Sequence, residues 1–321
     1  MAAEIPAGAG AGPRPRLIVD CDPGLDDAAA LVLAHHFGDL VAITTVGGNA
    51  PLAEVTANAL VTAQVFGIGA EVHPGAARPL VAEPRHAAEI HGASGFEGAI
   101  VPPLTRTASE VGAIEVLIEA IRGEEGLWLV PMGPLTNVAL ALRQAPDLAR
   151  RLAGISFMGG SASAGNHGPV VEFNIMVDPE AAAVVVGSGA RILMAGLDLT
   201  RQFTVDDRLG NALRAIGNPG GALLADLVVG YLDRVEAVRG ARGGGLHDPC
   251  AVLAVTHPGL VSHTRRQVGV ELTGTLTRGM TVVDQRLPSG IDDPEGNVWH
   301  GHTLNHGAAL DALLTAVAAC G

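Results

Sequence analysis

The sequence predicts an α/β protein with a mostly parallel central sheet, helices on both of its faces and a small β appendage. Short β-rich apolar runs alternate with longer Ala/Leu-rich runs up to about residue 195, the pattern of a parallel sheet covered on both sides. Polar clusters follow several of the apolar runs directly, at the strand ends where parallel sheets collect ligands. A chain of 321 residues that is 48% hydrophobic has the material for a core of that size.

Taken in order, residues 17–19, 41–46, 127–130, 155–158 and 191–195 read as buried strands, because each is a short run dominated by branched or large apolar residues. Residues 26–37, 51–66, 110–122, 135–143 and 179–187 read as helices, being longer, rich in Ala and Leu, and opened by proline or acidic residues. Residues 260–287 differ, with β-type stretches at 267–272 and 280–283 separated by turns. A last helix is expected from 306 to 319. No linker or repeat interrupts this pattern, so one domain is expected over 16–321. Residues 1–15, rich in Ala, Gly and Pro and without an apolar h-region, are expected to be a disordered leader and not a signal peptide.

Composition narrows the chemistry. The 33 acidic against 20 basic residues give a formal charge of -13, which argues against nucleic acid or an anionic membrane as partner and favours a small neutral or cationic ligand. There is no lysine, so Schiff-base and P-loop mechanisms are excluded. Cys21, Cys250 and Cys320 are far apart and form no CxxC pair, which disfavours a disulfide framework or a thiolate zinc site and suits a reducing cytoplasm. No run of 18 apolar residues is present to span a membrane.

The run Asp20-Cys21-Asp22-Pro23-Gly24-Leu25-Asp26-Asp27 places four carboxylates within eight residues, after a strand and at a helix start. Helix capping accounts for one or two of them. Four repel one another and resist burial unless a cation compensates, and carboxylate oxygens without neighbouring His or Cys suit Ca²⁺ or Mg²⁺ over zinc. His247-Asp248-Pro249-Cys250 follows a glycine-rich stretch and reads equally as a functional cluster or as a helix cap with proline at the first position. In Glu172-Phe173-Asn174, with Asn166 upstream, a carboxylate and amides of the kind that grip sugar hydroxyls lie on one side if the chain is extended; a loop network is the alternative. Asp178 reads as the cap of the following helix. His91 lies in a loop and could face a substrate, whereas a second metal among His300, His302 and His306 is the weaker reading of a polar tract.

Together with Thr44-Thr45-Val46-Gly47-Gly48-Asn49 and Gly133-Pro134-Leu135-Thr136-Asn137, and in the same order, these motifs resemble the inosine-uridine-type nucleoside hydrolases from about residue 16 to the C-terminal helix. The resemblance implies the nucleoside hydrolase fold and a Ca²⁺-dependent enzyme, forming homodimers or homotetramers, that cleaves the N-glycosidic bond of ribonucleosides to ribose and a purine or pyrimidine base. It assigns Asp22, Asp27 and Asp248 to the metal with the backbone carbonyl of Met132, and Asp22 also to activation of the attacking water. Asp26, Asn174 and Asp248 fall to the ribose 2′ and 3′ hydroxyls, Asn166 and Glu172 to the 5′ hydroxyl, and Asn49 and Met158 to the walls of the ribose pocket. His247 becomes the general acid at the departing base and points away from the purine-specific members. With one tyrosine, Tyr231, and two tryptophans in the chain, stacking on the base is sparse, so Arg234, Glu236 or Arg239 are candidates to contact it.

Two rival readings remain at this point. Asp20-x-Asp22 after a strand also opens haloacid-dehalogenase-type phosphatases, although Gly24 and the lack of lysine argue against them. A non-catalytic nucleoside- or ribose-binding protein on the same scaffold is the other.

Overall fold

The computed structural model describes residues 14–320. The expected leader over 1–15 thus lies, except for its last two residues, outside the described residues. An eight-stranded sheet organises the chain. β1 (Arg16–Cys21) pairs in parallel with β2 (Asp39–Thr45) on one side and with β4 (Trp128–Pro131) on the other. β3 (Glu71–Pro74) lies beyond β2, while β5 (Gly154–Met158) and β6 (Ile192–Ala195) continue beyond β4, all parallel. Strand Val298–Leu304 joins β6 in parallel, and Val261–Arg266 closes that edge antiparallel.

β1 shows why the sheet must be covered on both faces. Leu17, Val19 and Cys21 enter one hydrophobic core and Ile18 the other, the period-2 division of a strand buried on both sides. Helix Leu25–Phe37 is buried continuously from Leu25 to Ala34, so it packs as an interior element and its first turn carries Asp26 and Asp27 inward with it. Because β2 and β4 flank β1 on opposite sides, the chain reverses direction across the sheet there. The carboxyl ends of β1 and β4 therefore form the crevice in which open α/β sheets bind ligands.

The expected strands and helices occur within a few residues of the expected bounds, and the last helix spans His306–Ala319. The appendage is smaller than expected, a two-stranded ribbon in which Val268–Val270 pairs with Thr281–Val283. The sequence reading lacked β3, the strands Val261–Arg266 and Val298–Leu304, and the helices Asp207–Ala215 and Pro219–Arg239. β3 has only four residues, and Val298–Leu304 carries two histidines that read as a polar tract. Helix Pro219–Arg239 begins with Pro-Gly-Gly, which resembles a turn although Asn218 caps it through a bond from the Gly221 N–H and proline occupies the first helical position. No helix among the described residues is long and apolar enough to cross a membrane.

Candidate active site

The carboxylate run is built from the end of β1. Asp22 is completely buried; its Oδ2 accepts the Asn49 N–H at 2.6 Å, while its Oδ1 has no hydrogen-bond partner. Two glycines make this possible: a Cβ on Gly48 would stand 2.1 Å from Asp22 Oδ2, and one on Gly133 would stand 2.6 Å from Oδ1. Asp27 accepts the backbone N–H groups of Asp22 and Gly24, both at 3.0 Å, so it closes the turn into the helix. Capping thus explains Asp27 in part. It does not explain Asp26, whose Oδ1 is buried without a partner, or Asp248, which heads helix Pro249–Thr256 without using its side chain as a cap. Asp20 lies deeper, bonded by Thr44 Oγ1 at 2.6 Å and Asn137 Nδ2 at 2.7 Å.

Oxygens of Asp26, Asp27 and Asp248 lie within 4.8 Å of one another, and among the described residues they form the one such group of metal-type ligands. Burial first, then mutual repulsion, pushes Asp22 and Asp248 well above the ordinary carboxylate range and Asp27 up to about 7. Unpartnered buried oxygens, all-oxygen chemistry and excess negative charge together fit a hard divalent cation. Asp26 belongs to this cluster as closely as Asp27 does. His300, His302 and His306 do not converge: they face Asp198, Thr303 and Thr204 respectively, which removes the second-metal reading.

Above the carboxylates lies a cavity of about 640 Å³ including its open mouth. Asp26, Asn49, His91, Met132, Met158, Asn166, Glu172, Asn174, His247 and Asp248 all line it, and Asp22 and Asp27 sit beneath it. The extended chain on which Glu172 and Asn174 would share a side does not occur, because Phe173–Val177 is helical. Glu172 caps helix Phe173–Val177, accepting the N–H groups of Asn174 and Ile175, and also receives the Gly160 N–H at 2.9 Å. Burial raises its pKa against the pull of these bonds. The Asn174 amide donates to the Met132 carbonyl at 2.6 Å and the Met158 carbonyl at 3.2 Å, joining the ends of β4 and β5. Asn166 Oδ1 accepts the Phe173 N–H, and Asp198 holds the approach to that loop through the Ala162 N–H and the Ser163 hydroxyl.

The opposite wall holds His91, Tyr231, Arg239 and His247. Of the three polar side chains considered for the base, only Arg239 reaches the cavity. Arg234 instead donates to the carbonyls of Ile90 and Glu97, and Glu236 is paired with Arg242. Glu89, Ile90, His167 and Phe173 also line the cavity and were missed; His167 adjoins Asn166 and Phe173 adjoins Glu172, a proximity signal that was available. His247 Nδ1 is bonded to the Thr200 hydroxyl at 2.8 Å. No sequence pattern links that pair.

A doubly wound sheet whose switch-point crevice is lined by carboxylates and amides defines an enzyme for a small, hydroxyl-rich substrate. A family profile described as inosine-uridine preferring nucleoside hydrolase matches residues 17–311. The chain is 40% identical over 279 residues to the inosine-uridine preferring nucleoside hydrolase of Leishmania major, covering 85% of this chain and 88% of that one. It is 40% identical over 273 residues to the pyrimidine-specific ribonucleoside hydrolase RihA of Enterobacter sp. (strain 638), covering 84% and 87%. The structure of a purine-preferring ribonucleoside hydrolase from Gardnerella vaginalis superposes with a TM-score of 0.87 at 30% identity, over 95% of this chain and 98% of that one. The chain belongs to the inosine-uridine preferring nucleoside hydrolase family, enzymes that hydrolyse the N-glycosidic bond of ribonucleosides. This family membership replaces the phosphatase and binding-protein readings.

Proposed function

We propose that the protein is a Ca²⁺-dependent ribonucleoside hydrolase in which Asp22 activates the attacking water and His247 assists departure of the base. The observation that carries this reading is the pair of buried, unpartnered carboxylate oxygens, Asp22 Oδ1 and Asp26 Oδ1, at a cavity whose lining includes Asn49, Asn166, Glu172, Asn174 and Asp248. Asp22, Asp27, Asp248 and the Met132 carbonyl are the groups that would hold the ion. When bound, a hard dication supplies charge that offsets these carboxylates and acidifies water beside it.

Asp22 takes the proton of the water that adds to C1′. The elongating C1′–N bond leaves positive charge on the ribose, which the surrounding carboxylates stabilise, as in glycoside hydrolysis. Asp26, Asn174 and Asp248 orient the 2′ and 3′ hydroxyls, Asn166 and Glu172 the 5′ hydroxyl, and Asn49, Met158 and His91 complete the walls. His247 supplies a proton to the departing base, a contribution of about 10² to 10⁴-fold in general. Its cavity also admits Arg239, which donates but cannot accept hydrogen bonds and so favours carbonyl-bearing bases. We read residues 16–321 as one domain of a cytoplasmic homodimer or homotetramer, which analytical ultracentrifugation tests.

The deciding experiment is kcat/KM for inosine, adenosine, guanosine, uridine and cytidine, with chelator and after Ca²⁺ is restored, for the natural protein and Asp22→Ala. Activity that survives both chelation and Asp22→Ala overturns the mechanism. Activity restored by Mg²⁺ and not by Ca²⁺ overturns the choice of ion.

A further inference from the structure

We infer that Thr200 is the positioning residue of His247, fixing its ring so that Nε2 carries the proton and is the nitrogen turned to the base. This rests on the reading of His247 given above and names how this chain prepares that side chain.

Thr200 ends the short helix Leu197–Thr200 that follows β6, and it is 0% exposed. Its N–H is used by the Gly196 carbonyl, so the helix turn holds the residue in place. The side-chain hydroxyl has one contact among the described residues, Nδ1 of His247 at 2.8 Å. A hydroxyl offers one proton, and a buried polar hydrogen left without an acceptor is costly, whereas an unprotonated imidazole nitrogen is an acceptor. The hydroxyl proton therefore goes to Nδ1. In the neutral ring the remaining proton then sits on Nε2, across the ring from Thr200; for that proton to pass to the base the ring is first protonated on Nδ1 as well, with Thr200 Oγ1 turning to accept the Nδ1–H, so that transfer leaves a neutral imidazole and not an imidazolate. His247 lines the cavity beside Asp26, His91, Tyr231 and Arg239, so the free nitrogen is the one available to a ligand.

The arrangement has a further consequence for order. The two residues are 47 apart in sequence and come from different elements, the end of the β6 helix and the start of helix Pro249–Thr256. One hydrogen bond thereby ties the base side of the cavity to the sheet that carries the ribose side. Losing it frees the ring to adopt the other tautomer or to rotate, which lowers the fraction of molecules ready to meet the leaving base without altering ribose contacts.

Thr200→Val keeps the shape and removes the hydroxyl; Thr200→Ser keeps the hydroxyl. On inosine or uridine the Val variant should lose about tenfold or more in kcat with KM little changed, while p-nitrophenyl riboside, whose leaving group needs no proton, stays within about twofold and Ser stays near the natural protein. Long-range ¹⁵N NMR of histidine-labelled full chain, with the His247 signals assigned by their loss in His247→Ala, should show an unprotonated Nδ1 that changes in the Val variant. A neutral ring protonated on Nδ1 in the natural protein, equal losses on both substrates, or no loss on either overturns the inference. If His247→Ala itself fails to discriminate the two substrates, the general-acid reading falls instead, and the NMR result still decides the role of Thr200.

Discussion

Removing divalent cations should destabilise the protein more at pH 8 than at pH 5. Asp27 is completely buried, and burial, followed by repulsion from Asp26, pushes its pKa from 3.8 up to about 7 against the pull of the Gly24 and Asp22 N–H groups. The folded value lies above the unfolded one. The stability linked to this carboxyl is therefore fully present below pH 3.8 and is lost as pH rises through about 7. A gap of about three units corresponds to roughly 4 kcal/mol, at about 1.4 kcal/mol per unit. Asp22 and Asp248 are raised by burial first and then by the same mutual repulsion, so their contributions overlap with this one and do not simply add to it. For a chain of this length the loss corresponds to a fall in Tm on the order of 5–10 °C. A cation among the carboxylates supplies the missing positive charge and should cancel the loss. Scanning calorimetry with chelator and with Ca²⁺, at pH 5, 6, 7 and 8, reads the difference directly. The difference should widen with pH and shrink in Asp26→Asn, which removes a repelling charge from a residue whose Oδ1 has no hydrogen-bond partner. A difference that stays constant across this range refutes the electrostatic account of the cluster.

Gly48→Ala and Gly133→Ala should each cost about tenfold or more in kcat/KM, because a new Cβ would fall 2.1 Å and 2.6 Å from the Asp22 oxygens, whereas Gly69→Ala, with nothing within 4 Å, should be silent in the same assay. Asp178→Ala should lower stability by about 3 kcal/mol in denaturant titrations with kcat nearly unchanged, since it removes a helix cap on the Ala181 N–H together with bonds from Thr136 Oγ1 and the Leu80 N–H. Arg239→Ala should reduce kcat/KM for uridine about tenfold more than for cytidine if the guanidinium meets C4, because uracil presents a carbonyl there and cytosine an amino group to which a guanidinium has nothing to offer, the C2 carbonyl being common to both. An unchanged uridine-to-cytidine ratio would remove Arg239 from base recognition.

What could be read from the sequence follows from how local the determining contacts are. The strands 17–19 and 127–130 were legible because a strand buried on both faces needs an unbroken apolar run, and 155–158 because only Ser156, whose hydroxyl donates to the Ala251 carbonyl, interrupts one. Val298–Leu304 was not, since its histidines at 300 and 302 mask a strand whose neighbours supply the pairing. The carboxylate cluster was legible in part because Asp26 and Asp27 lie in the eight-residue run on one strand-to-helix turn, whereas Asp248 joins them from the head of helix Pro249–Thr256. The capping alternative was also partly right: Asp27 does close that turn, and Asp178 is a cap. By contrast, the Asn174 bonds to the Met132 and Met158 carbonyls and the Thr200 bond to His247 join segments brought together only by the strand order. No spacing rule foretells them. The extended reading of 172–174 failed for a related reason, because the Glu172 side chain spends its oxygens on the next turn of backbone and so starts a helix.

The two ends of the cavity are built differently, and this bears on what the family can vary. Asp22, Asp26, Asp27, Asn49, Glu172, Asn174 and Asp248 are all less than a tenth exposed and rest on strand ends or on the first turns of helices packed in the core. Changing any of them disturbs the sheet as well as the sugar site. The base end draws His91 from the short helix Ala88–His91, and Tyr231 and Arg239 from helix Pro219–Arg239, whose last turn is exposed. Arg239 there can be exchanged without reopening the core, whereas Tyr231 packs within it. In this chain His247 precedes the buried Asp248 on one side and is bonded to the buried Thr200 on the other, so the side chain proposed to meet the base is held by residues of the core.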